Sequence, residues 1–313
     1  MITANSVKFI KLGRSGSWED YCINNNLIAL GFDNPYHDRC VEGDWDFIHN
    51  YWFDKSTKVT DAAKKSEATK ITNQMKDFYT SPSDVMWITF YHKKLYWCFA
   101  QEEVEERKID ELYRVAKVRR VKGTWNSTDI NGNELMVANL SGKLTMVQMF
   151  RGTICTVKES DYLLRRINAI ESEQIINAKA AFNALIENIK PLITSLTWKD
   201  FELLVDLVFS HAGWQRVAAL GGTEKDIDLD LFSPVSGRRA FVQVKSQSSV
   251  VEFNSYVKTY ESMTQYDELY YVCHSDLPLS VSGKQNIQFI GLEKMAELTV
   301  NAGLVNWLIT KTS

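Results

Sequence analysis

The chain has 313 residues, 45% hydrophobic and 24% charged, with a formal net charge of −3 at pH 7. Such a chain is a folded protein long enough for two domains. It carries no overall basic character of the kind that advertises nucleic acid, although a local basic surface is enough for binding.

The start, MITANSVKFIKLG, has no apolar h-region, and no run of about 18 apolar residues follows, so a cytoplasmic location without a membrane span is expected. Ser6–Leu12 reads as a first strand, and SWEDYCINNNLIALGF as a short helix feeding another. A polar helix over Asp61–Tyr79 is broken by Ser81-Pro82-Ser83. DVMWITFYHKKLYWCFA then reads as a hairpin turning at His92-Lys93-Lys94, and LYRVAKVRRVKGTW as a basic strand. This alternation fits a β-barrel of the all-β or α+β kind better than a βαβ repeat. Five cysteines, with no CxxC pair, read as free thiols of a reducing compartment. Cys22, His37 and Cys40 lack a fourth ligand at the spacing of a zinc site.

From Asp161 to Lys190 apolar residues recur at helical spacing, which predicts a long connecting helix stopped or kinked by Pro191. TWKDFELLVDLVFSHAGW predicts a helix with Thr197 as N-cap, an apolar stripe from Phe201 to Val208 and an end at Gly213. A turn at Gly221-Gly222, strands Ile227–Phe232 and Arg239–Lys245, a polar helix near Phe253–Tyr266, a strand at ELYYVCH and a final strand and helix complete an α/β layer arrangement.

The hairpin holds the densest chemistry. Side chains alternate along a strand, so Asp226, Asp228 and Asp230 share one side, and Gln243 and Lys245 share one side of the return strand. A carboxylate, an amide oxygen and an ammonium brought together in this way suit a hard divalent cation and phosphodiester hydrolysis. An edge strand blunted by charge is the alternative for the same alternation.

Phe201-Glu202 on a helix, Gly213-Trp214, Gly221-Gly222, Ile227-Asp228 and Val242-Gln243-Val244-Lys245 follow one another in an order that resembles the Mrr-type branch of the PD-(D/E)xK restriction endonucleases. The resemblance covers about 50 residues. It implies that Asp228 binds the metal, that Gln243 stands where most relatives carry the second acid, that Lys245 is the catalytic lysine, and that Glu202 assists from the helix. Asp226 competes with Asp228 for the metal role. Mg²⁺ is the implied cofactor, with Mn²⁺ able to substitute. Residues 1–160 resemble the PUA-like and EVE-type domains, small barrels that recognise modified bases. Trp18 and Trp45 are candidate walls of a base cage. Arg14 in the GRSGS loop is a candidate phosphate ligand, with a plain surface loop as the alternative. Lys117, Arg119, Arg120 and Lys122 are a candidate basic run for DNA backbone, with a solvated strand edge as the alternative.

The expected architecture is thus an α+β PUA-like barrel domain over residues 1–160, a helical connector over 161–190, and an α/β restriction-endonuclease-like domain over 191–313. The expected function is a type IV-like, modification-dependent endonuclease used in antiviral defence. Its expected partner is double-stranded DNA carrying a modified base, cut by a homodimer. The alternatives are a catalytically inactive nucleic-acid binder, favoured by the missing carboxylate at Gln243, and an RNA-processing nuclease.

Overall fold

The β-branched and aromatic runs of the first half become the strands of two sheets. The computed structural model describes residues 1–108, 115–217, 227–275 and 286–313, and the chain divides into two units, Met1–Glu171 and Ser172–Ser313. In the first unit the elements are β1 (Val7–Ile10), α1 (Glu19–Asn24), β2 (Leu27–Leu30), α2 (His37–Glu42), α3 (Trp45–Lys55), α4 (Asp61–Thr80), β3 (Met86–Tyr91), β4 (Lys94–Phe99), β5 (Glu105–Lys108), β6 (Val115–Arg120), α5 (Gly142–Thr145), β7 (Ile154–Thr156) and α6 (Ser160–Ile167). One sheet runs β4-β3-β1-β7, with β1 and β3 parallel, and the other runs β2-β6-β5. Backbone bonds from Gln101 to Arg120 and from Lys122 to Phe99 tie the end of β4 to the end of β6. Among the described residues the expected barrel is therefore two open sheets joined at one corner. The β3–β4 hairpin turns on His92 and Lys93, both left-handed (φ 46° and 63°). That is the backbone of a two-residue hairpin turn, which glycine and asparagine usually supply.

The helical run expected over 161–190 is two helices, α6 and α7 (Glu173–Ser195). Ala169 takes φ 51° between them, and Asn168 turns its side chain back to accept from the Ile2 N–H and donate to the Ile2 carbonyl. Ser172 then caps α7 by accepting from the Ile175 N–H. Leu163 and Ile167 pack into the first unit's core, whereas Ile186, Ile189 and Ile193 pack into the second's. Apolar spacing is blind to such a break because the residues on either side keep the same period. Pro191 lies inside α7, and the helix runs on to Ser195. The missing N–H removes one bond of the helical ladder, to Glu187, without ending it.

The second unit continues with α8 (Trp198–His211), β8 (Gln215–Arg216), β9 (Leu229–Phe232), β10 (Arg239–Lys245), α9 (Val250–Glu261), β11 (Glu268–Cys273), β12 (Ile287–Ile290), α10 (Leu292–Asn301) and α11 (Val305–Thr312). Its sheet runs β12-β11-β10-β9-β8, with β10, β11 and β12 parallel and β8 and β9 antiparallel to their neighbours. Both faces of β10 are covered. Ala240 and Val242 join a cluster with Phe201, Leu204 and Val205 of α8, and Phe241 joins Phe253 and Tyr260 of α9 on the other face. Thr197 caps α8 by accepting from the Asp200 N–H, and Gly213 ends it with φ 90°. No helix among the described residues is long and apolar enough to cross a membrane.

Candidate active site at the carboxyl end of strand β10

The β9–β10 ladder ends where the chemistry begins. Its last register pair is Leu229 with Val242. Beyond it the backbone bends at Asp228, whose carboxylate takes over as acceptor for the strand. Asp228 Oδ2 accepts from the Val244 N–H at 2.7 Å and from Gln243 Nε2 at 2.5 Å. Gln243 is 2% exposed, and with its amide nitrogen committed to Asp228 its Oε1 is buried without a hydrogen-bond partner. A buried oxygen without a donor is costly. Such an oxygen, beside a carboxylate, is suited to a hard divalent cation.

Glu202 lies close enough to Asp228 to sense its charge. Burial raises the Asp228 pKa, against opposing contributions from the Val244 N–H, Lys245 and Arg216. Burial also raises that of Glu202, and the nearby Asp228 charge adds to the rise. Two carboxyls that resist ionisation side by side are a natural receptor for added positive charge. The residues fit a divalent metal: Asp228, Gln243 Oε1 and Glu202 are the oxygens that would hold it.

Lys245 leaves β10 on the side facing α9. Its Nζ is 3.4 Å from Glu252 Oε1 and 5.2 Å from the centre of the Tyr256 ring. Partial burial works to lower its pKa, but Tyr256 and Glu252 outweigh this, and the net shift is upward. The ammonium stays charged at neutral pH. It can therefore stabilise negative charge but not take a proton from water. Glu252 in turn accepts from Ser248 Oγ at 3.0 Å. One residue past β11, His274 packs edge-on against Phe201, with ring centroids 4.7 Å apart.

Asp226 and the Gly221-Gly222 turn lie outside the described residues. Asp230 pairs with Arg239, whose Nε donates to Oδ1 at 2.8 Å, so this aspartate is taken up by an ion pair, on a strand that lies between β10 and β8 rather than at the sheet edge. Arg216, Asp206, Glu252 and Tyr256 are site neighbours that sequence reasoning missed. Asp206 was within reach of a sequence argument, because it stands four residues after Glu202 on the same helical face.

In the first unit the candidate residues separate. Trp18 is a core residue, 6% exposed, wedged so tightly that a Cβ on Gly13 or Gly31 would come within 2.8 Å of its ring. It cannot present a face to a base. Trp45, at the start of α3, is half-buried with its ring edge-on to Tyr79 at 6.1 Å. Lys117 and Arg119 are 1% and 0% exposed and point inward from β6. Lys117 pairs with Glu106. Arg119 donates to the carbonyls of Gln101, Phe78 and Ser81 at 2.6, 2.9 and 2.8 Å, closing the carboxyl end of α4 where helix carbonyls lack partners. Neither can touch a DNA backbone. β6 is the middle strand of its sheet, and these two side chains, expected on DNA backbone, lie in the core instead. Arg120 is exposed and bound to Glu105 at 2.6 Å, and Arg14 is exposed in the turn Arg14–Gly16. Cys40 accepts from Asn34 and His37 meets the Tyr79 hydroxyl, and no metal-binding cluster of His, Cys, Asp and Glu occurs among the described residues.

Glu202 on a helix, Asp228 at the mouth of a mixed sheet and the Gln243-x-Lys245 strand are thus gathered in one part of the second unit. Residues 193–273 match the family described as restriction endonuclease, which spans α8, β9, β10 and β11. The second unit therefore carries a restriction-endonuclease domain, and the protein is a DNA endonuclease. No curated protein and no solved structure matches the chain.

Proposed function

We propose that the chain is a modification-dependent restriction endonuclease: the first unit selects DNA that carries a modified base, and the second hydrolyses its phosphodiester bonds with Mg²⁺ or Mn²⁺. The observation that carries the reading is the convergence of Asp228, Glu202 and the unpartnered Gln243 Oε1 at the end of the strand that also bears Lys245. When bound, the metal polarises the scissile phosphate and acidifies water. Asp228 and Gln243 orient the reacting group through oxygens fixed by the strand backbone. Glu202 would supply, from α8, a further carboxylate oxygen to help hold the metal or its water. Lys245, kept charged by Tyr256 and Glu252, lies against the charge that builds on phosphate.

The reader assignment rests on the aromatic surface around α2, α3 and α4. Tyr36 is 39% exposed and stacks edge-on against Phe47 and Tyr51, with Trp45, His37 and Tyr79 beside them. Aromatic faces with polar edges suit an extruded base, and Trp45 is the first choice for a wall. Arg14, Arg120 and Lys122 are the exposed members of the set that can reach phosphate. Cutting both strands requires two active sites, so a homodimer forms on DNA, and defence against foreign DNA follows. The test is incubation of the full chain and Mg²⁺ with matched modified and unmodified duplexes. Selective cleavage of the modified duplex is expected. Equal cleavage of both removes the reader, and no cleavage under any metal or modification removes the whole reading.

A further inference from the structure

Arg216, from the two-residue strand β8, is inserted among the acids of the site. Its Nη2 donates to the Asp228 carbonyl at 3.1 Å and lies 3.6 Å from Glu202 Oε1, while Nη1 lies 3.5 Å from Asp206 Oδ2. Glu202 and Asp206 are four residues apart on α8, so one guanidinium faces both. Neither contact has the length of a closed, two-pronged arginine–carboxylate pair. The cation is shared rather than owned. Two further observations point to what is missing: Asp206 Oδ1 is buried and unpartnered, and so is Oε1 of the 2% exposed Gln243. Three carboxylates meet one guanidinium, the site's other cation, Lys245, is shared with Glu252, and two acceptors stay unpartnered.

We propose that Arg216 is a built-in cation that neutralises the metal-free site and, when a divalent ion arrives, gives up Glu202 and closes on Asp206. The proposal rests on the nuclease reading above, since it takes Asp228, Gln243 and Glu202 as the metal's ligands. Glu202 cannot serve both cations at full strength, because a guanidinium and a divalent ion in contact with one carboxylate repel each other. Asp206 Oδ1 is the acceptor that lets the guanidinium complete a two-pronged pair after it lets go. Arg216 and Asp206 are thus positioning residues that set metal affinity, and neither touches the reacting phosphate.

Calorimetric titration of Mn²⁺ into the full chain and into Arg216→Met and Asp206→Asn variants, with thermal unfolding in chelator and in metal, tests this. Removing one positive charge beside the ion tightens Mn²⁺ binding by roughly tenfold, while Arg216→Met lowers the Tm in chelator and widens the Tm gain on adding metal. Asp206→Asn acts the other way and weakens Mn²⁺ several-fold, because the guanidinium has lost its alternative and stays on Glu202. A residue that only braces the fold would weaken binding in both variants. Unchanged or weaker Mn²⁺ affinity in a folded Arg216→Met protein overturns the proposal and leaves the metal site standing. If that variant does not fold, Arg216→Gln takes its place under the same readings: tighter Mn²⁺ binding is expected, and unchanged or weaker binding overturns the proposal. No binding to the unaltered chain overturns the proposal and the metal-site reading together.

Discussion

Arg119 is the residue whose role the tertiary structure reverses most completely, and its replacement by methionine gives a sharp test. Methionine keeps an apolar stem in the same space but withdraws donors from three carbonyls, those of Phe78 and Ser81, which are buried, and that of Gln101, which is partly so. One buried acceptor left without a donor costs about 1–3 kcal/mol, and three in one neighbourhood add less than their sum. Against this, the variant is relieved of an unfavourable burial, the one that pulls the Arg119 pKa down to about 10. A net loss of about 3 kcal/mol follows from the difference. For a unit of this size that is a fall of roughly 6–12 °C in the unfolding transition. Calorimetry on the full chain measures it, alongside DNA affinity over a range of salt. A residue that contacts phosphate behaves differently, because its loss flattens the salt dependence by about one unit of slope and leaves the Tm alone. An Arg119→Met protein with unchanged Tm and a flattened slope would refute the placement of this guanidinium in the core.

Lys245→Ala should abolish cleavage and leave DNA affinity nearly intact, because affinity comes mostly from other phosphate contacts; equal losses in both assays would make the residue structural. Gln243→Glu sets a second carboxylate within hydrogen-bond distance of Asp228, so it should lower stability in chelator by roughly 1–3 kcal/mol, read as a fall in Tm, and recover it with Mn²⁺. A variant indifferent to metal would count against ligation at this position. Burial raises the Glu19 carboxyl from its ordinary value to about 7. Since its folded pKa is raised, its contribution to stability is complete below pH 4.5 and is lost as the pH rises through about 7. The full shift corresponds to about 3 kcal/mol, reduced to about 1 kcal/mol for a half-exposed group. Glu19→Gln should therefore flatten the stability profile between pH 5 and pH 8, as urea titrations at both ends would register. Thr197→Ala should cost about 1 kcal/mol through loss of the α8 cap, read in the second unit's transition.

Much of the second unit was legible in the sequence because its signals are local. Thr197 before an apolar stripe, Gly213 after it and the alternation from Arg239 to Lys245 fix α8 and β10 through short-range geometry. The order of Glu202, Asp228, Gln243 and Lys245 then carries the resemblance to restriction endonucleases, and the family match over residues 193–273 agrees with it. What no local pattern could supply is where the sheet is central and where it is edge. Lys117 and Arg119 look like a solvated basic run in one dimension, and only the pairing of β6 between β2 and β5, under the end of α4, turns them inward. Trp18 likewise sits in a polar, turn-rich stretch, yet Gly13 and Gly31 close on its ring. Arg216 carries no motif of its own, and its place among Glu202, Asp206 and Asp228 depends on a two-residue strand joining the far edge of the sheet. Burial and charge pairing are properties of contacts between distant segments, so the sequence determined which groups were available and the tertiary structure decided which of them meet.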